Sequence, residues 1–308
     1  MRRLLLLAMI PLLSAGQTST PASSEITVAP NTLTDALIEG KPVKLLVRAG
    51  GPDRLILNPE TVARLAVKRA ALFGKASFSV AGRREFRGEN RPLDFEVAGQ
   101  KHKGRAFWFT DAPAQPGDGS IGPLALPQQR VRFALAAPAP GEQTFSFPYY
   151  GEINGQSLTG LSLGDVRMGV GFDLEETGGY PIASAAAGAA IARTNGGTLS
   201  GASWDVEIIF GVKRPVRLMT LERPFVIGPF AFREIAVRVR NRVDAAGHGA
   251  DIPEAGAVED PSEVVVTAGT KGRKPVYSFA IPRAAFAACS TLLFDKVAKQ
   301  ISVNCRPQ

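Results

Sequence analysis

The chain has 308 residues, a formal net charge of +8, a pI near 9.7 and a hydrophobic content of 45%. That length allows one large or two medium domains with a sizeable core, and 32 Gly with 23 Pro point to many strands joined by tight turns. The positive excess is spread as single arginines among apolar residues, as in "VRVRNRV" (237–243), the pattern of half-buried strands with a solvated face. No aromatic platform is interleaved with these charges, so no nucleic-acid partner is expected.

In chain order, the first element is an export signal. Arg2 and Arg3 are followed by the apolar run Leu4–Leu13 and by small residues at 14–16, so residues 1–16 read as a signal peptide cleaved after Gly16. The run is about half the ~20 apolar residues a membrane span requires, and no later segment is long enough. An exported, periplasmic or secreted, non-membrane-spanning protein is the expectation. Residues 17–25, rich in Ser, Thr and Pro, form a linker.

The first half, 26–148, opens with strands near Ile26–Val28 and Val43–Val47, then the turn "RAGGPD", the short strand "RLIL" and a helix in "NPETVARLAV". Asn58 suits the helix cap, Pro59 the first turn, and Glu60 the positive end of the dipole. Alternating segments "ASFSVAG", "LDFEVAG" and "GRAFWFTD" follow, each read as a strand. The half closes with "PGDGSIGPLALPQQRVRFAL": a glycine turn, one helical turn and a strand.

The second half, 149–308, repeats this order: strands "SLGDVRM" and "VGFDL", the turn "EETGG", a short strand "YPIA", and a helix "SAAAGAAIA". Laying Asn58 over Ser184 aligns the helix caps and also the preceding apolar strands. Further strands follow in "WDVEIIFGV", "RPVRLMTL", "RPFVIG" and "EIAVRVRN". After a Gly-, Asp- and Pro-rich insert (244–261) come "EVVVTAG", "VYSFAIP", a short helix and a hairpin around "DKVAK". That hairpin brings Cys289 and Cys305 together, and an oxidising compartment favours their disulfide.

Competing site motifs are weak. Gly160-Leu161-Ser162-Leu163-Gly164 matches a nucleophile elbow, but the residues after it alternate as strand rather than helix. His102 and His248 are the only histidines and lack partners at ligand spacing, so no metal or other cofactor is expected. The acids at 251, 254, 259, 260 and 263 lack calcium-loop spacing. Tyr149 and Tyr150 fall at the join of the halves, as packing or as a peptide contact.

The duplicated order of apolar strand, turn, short strand and helix, followed by "DGSIG" before "PLALP" and "VVVTAG" before "IPRAAF", resembles the retropepsin-like and pepsin-like aspartic proteases. The resemblance implies a mostly β, two-lobed, acid-protease-like β-barrel architecture with one or two short helices per lobe. It also implies an Asp-Thr/Ser-Gly turn in each lobe, whose paired carboxylates share one proton. Here Arg48-Ala49-Gly50 stands at the first turn with no acid, and Glu176-Thr177-Gly178 keeps Thr and Gly with Glu for Asp. Asp173 falls in the strand before it. The expected function is therefore an exported protease-like protein of weak or no peptidase activity that binds an extended peptide or unfolded segment between its lobes. Two alternatives remain: an active peptidase pairing Glu176 with Asp118 or Asp53, and a structural envelope-associated β-protein.

Overall fold

Alternating apolar and polar residues become strand over most of the chain. A computed structural model describes residues 24–80, 84–153, 156–175, 178–239 and 275–307. The signal segment, most of the linker, the insert, "EVVVTAG" and His248 lie outside the described residues. The first half runs β1 (Glu25–Val28), β2 (Leu33–Ile38), β3 (Lys41–Val47), β4 (Leu55–Leu57), α1 (Pro59–Leu65), β5 (Lys75–Val80), β6 (Arg84–Val97), β7 (Gln100–Phe109), β8 (Gly119–Ile121), a 3-10 turn at Pro123–Ala125, and β9 (Arg130–Ala134). The second runs β10 (Gln143–Ile153), β11 (Gln156–Leu163), β12 (Val166–Asp173), β13 (Ile182–Ala183), α2 (Ala185–Asn195), β14 (Gly197–Ile209), β15 (Val212–Ile227), β16 (Phe230–Arg238), β17 (Ser278–Pro282), a 3-10 turn at Arg283–Phe286, β18 (Cys289–Asp295) and β19 (Gln300–Cys305).

The protein is mostly β, with a six-stranded barrel, a large sheet and two short α-helices. The barrel belongs to a 7-stranded sheet of order β2-β3-β8-β4-β7-β6-β5, closed by an extra β2–β6 pairing. The 12-stranded sheet runs β1-β9-β18-β19-β10-β11-β12-β17-β13-β16-β15-β14. Its portion β11-β12-β17-β13-β16-β15-β14 reproduces the strand order β2-β3-β8-β4-β7-β6-β5, without a counterpart of the β2–β6 pairing among the described residues. In each, the second strand lies parallel to the third, which is antiparallel to the fourth, which is parallel to the fifth. The flanking hairpins are antiparallel in both. The halves meet where β9 pairs antiparallel with β18, and there Phe133 and Phe294 stack edge-on at 5.9 Å. Both rings are almost fully buried in a core cluster that draws on both halves; burying each is worth about 2–3 kcal/mol.

Both helix caps fall where the sequence puts them, but only one caps with its side chain. Ser184 Oγ accepts from the Ala187 amide at 3.2 Å. Asn58 makes no such bond. Its amide instead donates to the carbonyls of Gln115 and Gly117 at 2.8 and 3.0 Å, holding the loop that leads into β8. Helix α1 ends at Leu65 because Ala66 turns left-handed, at φ 57°. On α2, a Cβ at Gly188 would come within 2.5 Å of Val237, so the small-residue helix is set by close packing on β16.

Three segment boundaries differ from the sequence expectation. "SLGDVRM" is not one strand, since Gly164 (φ 59°) and Asp165 turn the chain between β11 and β12. "RPVRLMTL" and "RPFVIG" merge into the 16-residue β15, whose register shift between Thr220 and Phe225 absorbs the polar interruption. The expected division after residue 148 cuts β10, which pairs continuously with β19 from Gln143 to Pro148 and places Tyr149 and Tyr150 inside a strand.

Candidate functional site

Strand register identifies the equivalent positions of the two halves without reference to residue type. Val47 on β3 stands beside Ile121 on β8, and Phe172 on β12 stands beside Ile281 on β17. Ile121 in turn faces β4 as the corresponding segment of β17 faces β13. The residue after Val47 is Arg48, and the residue after Phe172 is Asp173. These two are therefore counterparts at the ends of matching strands. Glu176 lies three residues further on in sequence, past the strand end; the connection to β13 is one residue longer than the connection to β4.

The two loops meet. Glu175 Oε1 accepts from the Ala49 amide at 3.2 Å, and Oε2 from the Gly50 amide at 3.4 Å. Arg48 Nε lies 3.9 Å from Glu175 Oε2, with side-chain exposures of 16% and 9% for the pair. Nε is itself buried without a hydrogen-bond partner, so the contact with Glu175 is electrostatic rather than a formed hydrogen bond. Asp173 Oδ1 accepts from the Glu175 amide at 3.1 Å, folding the loop back on itself. Gly50 packs on Asp173 so closely that a Cβ there would stand 2.8 Å from Asp173 Cγ.

Burial pushes the Glu175 carboxyl up from 4.5 to about 7. The neighbouring Asp173 charge adds to this, Arg48 opposes it, a side-chain hydrogen bond with Asp173 raises it again, and the Gly50 amide lowers it. Two carboxyl groups of the second half thus stand together against a cation and two amides of the first half. Both acids come from the second half; the first half supplies Arg48 and backbone N–H groups. In this arrangement the centre can bind a proton near neutrality and couple the halves. The Glu175 oxygens are occupied by the amides that hold them.

The other expected site residues are placed elsewhere. Asp118 accepts from the Lys44 amide at 2.8 Å and Thr61 Oγ1 at 3.0 Å, and pairs with Arg64 at 2.5 Å. Burial alone raises its carboxyl, but these hydrogen bonds outweigh that and hold it below the usual carboxylate range. It precedes β8, about 10 Å along the strand from the Ile121 end, and joins β3 to α1. Asp53 is buried and accepts from the Leu124 amide at 2.9 Å, fixing the loop to the 3-10 turn. Glu176 and Thr177 lie outside the described residues, and Gly178 is exposed.

Ser162 pairs with Arg167 in the β11–β12 hairpin and is exposed, so no helix follows it as an elbow requires. His102 is an exposed strand residue whose ring meets Phe95 at 5.3 Å. Among the described residues, no group of three His, Cys, Asp or Glu stands together to hold a metal, and no helix is long and apolar enough to cross a membrane. Cys289 and Cys305 form the disulfide across β18 and β19.

Sequence reading missed Glu175. The available signal was the acid run "DLEE" directly after an apolar strand; aligning on Thr-Gly rather than on the strand end hid it. No protein-family model and no curated protein sequence matches the chain.

Proposed function

We propose that this is an exported, acid-protease-like protein that has lost the paired-acid chemistry and binds an extended peptide or unfolded segment. The observation that carries the proposal is the strand register that makes Arg48 the counterpart of Asp173. Acid-protease chemistry needs one carboxylate from each half, sharing a proton and holding a water. Here a guanidinium occupies one place and Glu175 is consumed by the Ala49 and Gly50 amides.

Peptide binding is supported by β14, which among the described residues is the last strand in its sheet and has one side without a partner strand. An extended chain can add to such an edge through main-chain hydrogen bonds. Trp204 on β14 and Tyr180, on the loop that carries Asp173 and Glu175, are both exposed and their rings lie 6.2 Å apart. They offer an apolar contact beside that edge.

The test is binding and cleavage of labelled β-casein, an unfolded chain, between pH 3.5 and 7.5. The proposal expects saturable binding and an intact probe. A second reading, a peptidase using Asp173 and Glu175 as its acid pair, is favoured by the proton affinity of Glu175 near 7. It expects cleavage that Glu175→Gln abolishes.

A further inference from the structure

Among the described residues, Leu72 and Phe73 are the most exposed large apolar side chains, at 78% and 90%. They stand at the tip of the loop that joins α1 to β5, with exposed Ala71 beside them. Two phenylalanines of the described residues have a positive φ, Phe210 at 52° and Phe73 at 56°. A bulky side chain in that left-handed region is a steric outlier. Phe210, in the turn between β14 and β15, offsets its strain by burial in an apolar cluster with Phe86 and Phe109. Phe73 gains nothing comparable inside the fold, and Asn or Gly would take the same backbone at less cost.

The loop that presents these two side chains is firmly built. Asn90, buried at 4% exposure, pins its base. The Asn90 side-chain amide donates to the carbonyls of Phe73 and Lys75 at 3.1 and 3.0 Å. Its backbone amide donates to the Gly74 carbonyl at 2.9 Å, and its own carbonyl accepts from the Ala70 amide at 3.0 Å. Arg105 donates to the Asn90 side-chain oxygen and completes the clamp. The base is so narrow that a Cβ at Gly74 would stand 2.1 Å from the Ala70 carbonyl oxygen.

Cations flank the tip. Lys68 and Arg69 precede it and Lys75 follows it; all three are exposed, and residues 66–78 contain no acid. Glu89 on β6 offsets part of this charge, opposite Lys75 in the strand register and 3.5 Å from Arg69. Apolar side chains at a tip with cations behind them match a bilayer with anionic headgroups. The apolar groups enter the acyl boundary while the cations meet the phosphates. A stable protein partner would bury about 800 Å² on each side, more than this narrow tip offers, whereas a lipid surface needs no matching contour.

We propose that the Leu72–Phe73 loop is a peripheral anchor that seats the folded protein on a lipid surface bearing anionic headgroups. It lies on the first half, away from the β14 edge, and does not depend on the peptide-binding reading.

The test is flotation of the full chain with vesicles of equal parts phosphatidylcholine and phosphatidylglycerol, compared with pure phosphatidylcholine. Wild type should bind the anionic vesicles about tenfold more tightly, and Lys68→Gln with Lys75→Gln should reduce that preference. Leu72→Ser with Phe73→Asn should weaken binding at least about tenfold. The same variant should keep or raise the thermal midpoint, because Asn tolerates the left-handed turn. An environment-sensitive fluorophore on Ala71→Cys, the native cysteines being paired, should shift to the blue on the anionic vesicles. Tethering through the apolar run at residues 4–13 cannot produce that shift. No vesicle binding by wild type overturns the anchor. So does equal binding by wild type and the Leu72→Ser, Phe73→Asn variant with the label at position 71 remaining in water. Self-association of wild type that the variant abolishes, without vesicle binding, also overturns it and assigns the loop to a second copy of the chain.

Discussion

Gly50 and Asp173 touch across the two halves, with the glycine Cα where a side chain on residue 50 would strike the Asp173 carboxyl carbon at 2.8 Å. The Asp173 Cα and Cβ would both stand at 3.0 Å, so the backbone of one loop blocks any side chain on the other. Gly50→Ala must push the loops apart. It should lower stability by about 1–3 kcal/mol, the usual cost of overpacking, and denaturant unfolding measures it. An unchanged midpoint would mean the loops separate freely.

Glu175 gives the protein a distinctive pH response. Its carboxyl binds a proton more tightly folded than unfolded, so its contribution to stability is complete below about pH 4.5 and is lost as pH rises through about 7. The loss amounts to about 3 kcal/mol at most. Glu175→Gln should flatten the stability curve between pH 4.5 and 7. Removing the cation by Arg48→Met should move the Glu175 titration still higher, followed by carboxyl-carbon NMR, because Arg48 opposes the rise.

Asp118 should behave as a structural acid. Its carboxylate is held below the ordinary range, so its contribution is present at neutral pH and fades as pH falls below about 3.8. Asp118→Asn should cost about 1–3 kcal/mol through weaker bonds to Arg64, Thr61 and Lys44, with β-casein affinity unchanged. A loss of affinity at equal folded fraction would return Asp118 to the site.

The disulfide joins buried cysteines on adjacent strands at a sequence separation of 16. Replacing both by Ser should cost about 3 kcal/mol and destabilise β18, the strand through which β9 joins the second half. The thermal midpoint reports the loss.

Much of this was legible in residue order. The duplicated succession of strand, turn, short strand and helix was visible because Asn58-Pro59 and Ser184 mark helix starts after apolar runs. What pairs with what was not visible: β13 has two residues, too few for any periodicity, yet it inserts between β16 and β17. The Phe210-Gly211 turn was hidden inside "WDVEIIFGV" because phenylalanine carries no turn signal, and only tertiary contact makes it tolerable there. The familiar Thr-Gly pair falls beyond the strand end, while Glu175 makes the contacts with Arg48, Ala49 and Gly50, and Asp173 packs on Gly50.

The most direct measurement is mass spectrometry of β-casein after prolonged incubation with the folded protein at pH 3.5, 5 and 7, with binding followed in parallel by anisotropy. A centre closed by Arg48 and Glu175 predicts saturable binding with the probe intact at every pH. Probe fragments produced by wild type and absent with Asp173→Asn and with Glu175→Gln would contradict it.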